Sequence, residues 1–418
     1  MGPHDTIQRP LTVLVAPSGF KENLSVDETI QHIITGGRRA MADARFMSIP
    51  MVDGGEGFTE ALINATGGTK IPVNVTGPLG DPVGAAFGIL GGVERRIAVL
   101  EMAAAAGLRL VPRGHRDPRV TTSYGVGELI KAALDAGAEE IIVGCGDSGI
   151  NDGGAGMAQA LGVGLLDAGG SPIGRGGAEL ARLHRIDLAD RDPRLADTAI
   201  EVAVNWYNVL LGPRGVARVF GPQKGATPEM VEQLEQALER YAAVIQETTG
   251  MDVGMAPGSG ASGGLGTGLA ALLGATLRPR YQVVLRYLDV EGKLAEADVV
   301  VTAEGRLDEQ TPRGKVPAEV ARRASRRGIP TLCLAGGLSP VADVVLDHGV
   351  TAFFSIADGP LTLAESMQSA GRLLERAAEQ ALRAFASGLA MGRQQANDDR
   401  DAASRRTADS ETPVLEPA

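Results

Sequence analysis

Aromatic side chains make up only 3% of this 418-residue chain, and it has just two cysteines and five histidines. With so few rings, its cores must be filled by aliphatic residues. The cysteines, Cys145 and Cys333, stand in apolar, strand-like surroundings. They read as buried free thiols in a reducing compartment, not as a disulfide or metal pair. The scattered histidines give no zinc spacing. No apolar run is long enough to span a bilayer and no signal-peptide pattern opens the chain, so no membrane partner and a cytoplasmic location are expected. The net charge is -11 and no long basic run is present. Nucleic acid is therefore not an expected partner, since its recognition needs clustered positive surface. Neither the P-loop pattern GxxxxGK(S/T) nor a clean GxGxxG occurs, so neither familiar nucleotide fingerprint applies.

What the chain has in quantity is glycine, 57 residues, within a 44% hydrophobic composition. Its length suggests two domains. Buried-strand patterns at 11–16, 46–52, 299–302 and 331–335 are expected to form one parallel sheet, each strand ending in a loop with candidate ligand groups. Between them the texture changes near Lys70, where 71–76 and 83–90 alternate around a Gly-Pro turn and read as a hairpin. Further strands are expected at 97–102, 140–144, 202–204 and 352–355. Ser25 with Glu28 has capping-box spacing, Ser123 is a candidate cap for a helix over 127–136, and Thr227 with Pro228 opens a helix running to about 248. Helices are also expected at 157–161, 317–327 and 363–385. Residues 393–418 are charged and lack periodic apolar positions, so disorder is expected there.

Several strand ends carry chemistry. The run at 299–301 leads into Glu304, Arg306, Asp308 and Lys315, a set suited to phosphate plus metal. Lys315 stands just before a helix that starts at Pro317, where a cation is locally mismatched unless an anion is present. Lys21 follows the first strand, in a strand-to-helix loop suited to a phosphate-binding ammonium. Asp53-Gly54-Gly55-Glu56-Gly57 follows the second; its glycines admit close ligand approach and its acids can bind metal or accept a proton. The loop at 144–156 contains Gly146, Ser148, Asn151, Asp152, Gly153 and Gly154 and runs into a helix, which reads as a phosphate cradle. Residues 257–266, with Gly260, Gly263 and Gly264, are a second cradle candidate or a close helix contact.

In order, the stretches FKENLS near Lys21, PMVDGGEG at 50–57, NDGGAGMAQALG at 151–162, FGPQKGA at 220–226, SGGLG at 262–266 and EGRLDEQTPRGKVP at 304–317 resemble the bacterial glycerate kinase family, in the type that lacks a P-loop. The resemblance implies an α/β protein of two α/β domains. A flavodoxin-like parallel-sheet domain would come from both chain ends (1–69 and 290–390), with a mixed α/β domain inserted at 70–289 and a disordered tail at 391–418. It implies transfer of the γ-phosphoryl of ATP to a hydroxyl of D-glycerate, 2-phosphoglycerate being the favoured product, with Mg²⁺; a homodimer is a further possibility for its assembly.

Under that reading Lys21, Arg306 and Lys315 contact phosphoryl or carboxylate oxygens. Glu304, Asp308 or Asp53 hold Mg²⁺, and Asp53 or Asp152 is the base. Gly146, Ser148, Asn151, Gly153, Gly154, Lys224, Gly260, Gly263 and Gly264 bind the nucleotide phosphates. Gly54, Gly55, Glu56, Asn205, Tyr207 and Asn208 bind the acceptor. The chain departs from the family pattern at Ser18-Gly19, at 147–150 and at 205–209, where Asn205 and Tyr207 replace two carboxylates. Another small hydroxy acid as acceptor, or a non-catalytic nucleotide and hydroxy-acid binding protein, is the alternative.

Overall fold

The computed structural model describes residues 9–20, 23–309, 311–312 and 316–410. From the start, β1 (Thr12–Val15), wholly buried, leads to α1 (Val26–Ala40), whose start is fixed by the expected Ser25–Glu28 capping box. Then come β2 (Arg45–Ser48) and α2 (Phe58–Thr66). The hairpin β3 (Thr69–Thr76) and β4 (Pro82–Ile89) is antiparallel throughout, as its alternation requires. It is followed by β5 (Ile97–Glu101), the short α3 (Ala103–Ala106), α4 (Tyr124–Asp135), β6 (Glu140–Gly144) and α5 (Ala155–Ala160). A small hairpin, β7 (Gly164–Leu166) with β8 (Arg185–Asp187), precedes β9 (Ala199–Val204). Next are α6 (Val216–Phe220), α7 (Pro228–Thr249), α8 (Ala261–Leu273), β10 (Thr276–Pro279), α9 (Arg280–Tyr287) and α10 (Val290–Glu296). The chain closes with β11 (Val299–Leu307), α11 (Val316–Arg326), β12 (Thr331–Leu338), β13 (Ala352–Ser355), α12 (Leu363–Gln368) and α13 (Ala370–Ser410).

The four strands expected to share a parallel sheet do so. The order is β13-β12-β11-β1-β2, every pair parallel, with Val13 opposite Val299 and Val300 opposite Thr331. Numbered within this sheet, that is the 2-1-3-4-5 order of a flavodoxin-like fold, whose switch point lies between β1 and β11. The second sheet runs β10-β9-β6-β5-β4-β3; β5, β6, β9 and β10 are parallel and the hairpin adds the antiparallel edge. One aliphatic core joins the two sheets: Leu14 and Val300 from the first cluster with Val99, Ile142 and Ala203 from the second, around Phe58 of α2. Both cysteines are buried and unbonded to each other.

Two expectations change. The chain does not lose structure at 391. Helix α13 continues to Ser410, through a stretch rich in good helix formers and free of proline. Residues 391–399 are nonetheless exposed, so that extension docks on nothing described. The segment 276–296, left unparsed in the sequence, supplies an edge strand and two short helices. Among the described residues no helix is long and apolar enough to cross a membrane.

Candidate active site

Parallel strands point their carboxyl ends the same way. The loops after β1, β2, β11 and β12 therefore share one edge of the first sheet. Those after β5, β6, β9 and β10 share one edge of the second. The two edges meet at the loop that follows β2. A Cβ on Gly54, which has φ +84°, would lie 3.1 Å from the Cys145 nitrogen and 3.2 Å from the Ala203 carbonyl oxygen. One on Gly146 would come within 2.5 Å of the Gly55 nitrogen. Glycine is needed at this crossing because backbone meets backbone with no room for side chains.

Around the crossing stand four acids and two arginines. Asp53 accepts from Arg280 Nη1 at 3.0 Å and from the Gly55 N–H at 3.4 Å. Arg280 is the first residue of α9 and is buried. Asp147 holds φ +49°, a strained conformation for a non-glycine residue that costs about 1–2 kcal/mol. It folds its carboxylate over Gly55 and accepts the Glu56 N–H at 3.1 Å. Glu56 pairs with Arg109 at 3.0 Å. Burial pushes the Glu56 carboxyl above the ordinary range, Arg109 opposes that and Asp147 adds to it. Glu101, at the end of β5, accepts the N–H groups of Gly57 at 3.3 Å and Thr59 at 2.9 Å, so it caps α2. Its burial raises its pKa against those bonds.

Two further loops approach the same edges. After β9, Asn205 Oδ1 accepts the Tyr207 N–H at 3.2 Å and its carbonyl accepts the Asn208 N–H at 3.1 Å. This tight turn leaves Trp206 and Tyr207 exposed, and with Pro279, Arg280 and Tyr281 they line a small pocket of about 40 Å³. At the end of β11, Glu304 is buried and Arg306 exposed, in register with Ala335 and Gly337 of β12; Asp308 follows and donates its N–H to Thr311 Oγ1 at 3.2 Å. Lys21 and Lys315 lie outside the described residues.

Other sequence candidates are placed differently. Asp152 is fully buried and its carboxylate is saturated: Oδ2 accepts the Ser123 N–H at 2.7 Å, the Ser123 hydroxyl at 2.8 Å and the Gly156 N–H at 3.3 Å, and Oδ1 accepts the Gly154 N–H at 3.1 Å. It ties the start of α5 to the start of α4 and is not placed to take a proton from an acceptor molecule. Ser123, expected to cap α4, spends its hydroxyl here. Lys224 is likewise buried beneath the loop, donating to Ser148 Oγ at 2.9 Å and the Ile150 carbonyl at 2.6 Å. It is a strut under the loop, not a phosphate ligand, and burial pulls its pKa down to about 7.

The second cradle is a close helix contact. The Gly153 N–H goes to the Gly263 carbonyl, the Gly264 N–H to Gly260 and the Gly260 N–H to Asn208. A Cβ on Gly263 would sit 2.0 Å from the Ile150 carbonyl oxygen, one on Gly264 2.9 Å from Gly153 Cα, and one on Gly154 3.2 Å from Gly268 Cα. These five glycines, Gly153, Gly154, Gly260, Gly263 and Gly264, serve packing, and the amides of four of them have protein acceptors. Gly146 and Ser148 remain at the crossing. Asn151 is wholly buried, and neither side-chain polar atom finds a partner among the described residues. An unsatisfied buried polar group costs about 1–3 kcal/mol, so this amide is a cost that the described contacts do not offset.

The sequence named no role for Arg280, Glu101 and Arg109, and saw Asp147 only as a departure from the family pattern. Glu101 and Arg280 each stand where a strand of the second sheet ends, the position that marks a ligand group in a parallel sheet; for Arg280 the strand itself went unrecognised. Among the described residues no group of three or more His, Cys, Asp or Glu side chains is set to hold a metal. The donors at this edge are all oxygen. That fits Mg²⁺, which takes one or two carboxylates and completes its shell with phosphate oxygens and water.

The model of the glycerate kinase family matches residues 13–386. A relative from Halalkalibacterium halodurans named glycerate kinase is 45% identical over 88% of this chain and 96% of its own length. One from Escherichia coli named glycerate 2-kinase is 45% identical over 91% of this chain and 99% of its own. A crystal structure from Salmonella typhimurium LT2, provisionally named glycerate kinase 2, superposes with a TM-score of 0.73 at 45% identity, covering 91% of this chain and 99% of that one.

Proposed function

The chain belongs to the glycerate kinase family and is a phosphotransferase with an alcohol group as acceptor, and from that premise we propose that it moves the γ-phosphoryl of ATP to the 2-hydroxyl of D-glycerate with Mg²⁺ in the cytoplasm. The observation that carries the site is the crossing of the 53–57 loop with the 144–149 loop, where Asp53 is locked to Arg280. There the carboxyl edges of both sheets converge on one acid-rich surface.

In this reading Asp53 accepts the hydrogen of the attacking hydroxyl, and Arg280 fixes its orientation. General-base positioning of this kind contributes about 10²–10⁴ in rate. Gly54, Gly55, Glu56 and the turn at Asn205, Tyr207 and Asn208 surround the acceptor; Gly146, Ser148 and Asn151 face the phosphates. Glu304 and Asp308 hold Mg²⁺, whose role when bound is to neutralise charge on the transferred phosphoryl. Arg306, with Lys21 and Lys315, supplies the remaining cations. The favoured product position rests on the name of the Escherichia coli relative.

The test is ADP release measured against a panel of small hydroxy acids, with product position read by phosphorus NMR. D-Glycerate-dependent turnover yielding 2-phosphoglycerate is expected, and Lys315→Met should lower kcat about a hundredfold, as loss of one well-placed electrostatic contact does. Turnover restricted to another hydroxy acid would move the assignment to the exposed Trp206–Tyr207 wall as an altered acceptor pocket. Absence of ADP release with every acid would reject the kinase mechanism.

A further inference from the structure

An open cavity of about 550 Å³ lies at the other end of the second sheet, by the amino ends of β6, β9 and β10. It is far larger than the 40 Å³ pocket beside Arg280 and falls within the size range of small-molecule sites. Its walls include Glu140, Arg191, Glu201, Arg278 and Arg286.

The charges there are not matched among themselves. Glu201 is buried and fully engaged, taking Arg278 Nε at 2.6 Å and both Nη groups of Arg286 at 2.8 and 2.9 Å. Glu140 is held from outside the cavity by Arg95 at 3.7 Å. Arg191 donates Nη1 to the Leu272 carbonyl at 2.8 Å and has no carboxylate partner among the described residues. A guanidinium has five N–H donors in a fixed fork. Arg191 and Arg278 therefore keep donors for a further acceptor, in a cavity whose acids are already neutralised.

We propose that this cavity is a second binding site, for a small phosphate monoester or polyphosphate anion held by Arg191 and Arg278. Forked guanidinium-to-phosphate contacts are the geometry for which arginine is suited. The site is wired to the candidate active site by covalent continuity. Arg278 stands two residues before Arg280, and Arg286 shares α9 with it. An anion that draws Arg278 from Glu201 alters what anchors the start of α9, and with it the guanidinium on Asp53. That consequence for turnover rests on the reading of Asp53 and Arg280 given above; the binding itself does not.

Calorimetric titration of the full chain with inorganic pyrophosphate tests the proposal, with the active site filled by a non-hydrolysable ATP analogue and glycerate. One pyrophosphate per chain is expected to bind still. Arg191→Ala, which leaves Glu201 both of its partners, should weaken that binding at least tenfold, as should Arg191→Ala with Arg278→Ala, while Arg191→Ala alone leaves kcat without pyrophosphate unchanged. If the ATP analogue itself fails to bind, the kinase reading is at fault, and the arginine dependence of the pyrophosphate titration still decides this one. No binding by the wild-type chain up to about 10 mM, or equal affinity in wild type and Arg191→Ala, overturns the site.

Discussion

Replacing Asp152 separates a structural acid from a catalytic one, because the sequence offers it as a base and the fold makes it a clamp. Its carboxylate accepts from four donors at Oδ2 and one at Oδ1, all buried. Asp152→Ala removes every acceptor. One orphaned buried donor costs about 1–3 kcal/mol, and since the donors share one site their costs do not add, so a loss of about 4 kcal/mol is expected. That is a large part of the roughly 5–15 kcal/mol that holds a protein folded. Asp152→Asn is milder. The amide can turn its oxygen to the donors at Oδ2 and meet only the Gly154 N–H with its own N–H₂, one donor facing another, at about 2 kcal/mol. Urea unfolding followed by circular dichroism should therefore rank wild type above Asn above Ala. The kcat of the folded Asn variant should stay within about tenfold of wild type, well short of the 10²–10⁴ expected of a lost base. If Asp152→Asn keeps the wild-type unfolding midpoint and loses turnover on that scale, the clamp argument is wrong and Asp152 belongs to the chemistry.

Asp53→Asn should show the opposite pattern, an unchanged unfolding midpoint with kcat down about a hundredfold or more, and adding Arg280→Met should cost less than the two single losses combined, because the pair acts as a unit. Lys224 gives a pH signature. Its folded pKa of about 7 lies below the ordinary 10.5, so the unfolded chain binds the extra proton between those values and stability rises with pH across that window, by at most about 1.4 kcal/mol per unit. Lys224→Met should flatten the rise in urea midpoints between pH 7 and 10, and a rise that persists in the variant assigns it to another group. Deleting 393–418 should leave the melting temperature and turnover unchanged, since 391–399 are exposed; a drop in either shows that the end of α13 docks.

The centre of the parallel sheet was legible because β1, β11 and β12 carry short runs of Val and Leu buried on both faces, whereas β2, expected as a buried strand, is a partly exposed edge strand at Arg45–Ser48. The hairpin and the capped helices were legible for the same local reason. Residues 276–296 were not. There β10 is a half-exposed edge strand of Thr-Leu-Arg-Pro and α9 is only eight residues long, so neither period runs far enough to be seen. Arg280, the partner of Asp53, was hidden with them.

Glycine shows why motif reading stops short of a site. The absence of a Cβ is visible in the sequence, but what occupies its place is not. At Gly54, Gly55 and Gly146 the space is taken by a loop from the other sheet, with acids gathered around it: the Asp147 carboxylate lies where a Gly55 Cβ would be. At Gly154, Gly263 and Gly264 the space is taken by backbone of a packed neighbouring segment and at Gly153 by the Tyr241 ring, and the amides of Gly153, Gly154 and Gly264 are already bonded. The two cases share composition and differ in what meets the glycine, two loops from different sheets with acids beside them in one, packed elements of one domain in the other. Asp152 and Lys224 are bonded within the protein, while the Asn151 side chain finds no partner among the described residues. The proposed placing of the acceptor at the crossing of Asp53 and Gly146 therefore rests on where two sheet edges meet, not on residue type or glycine count.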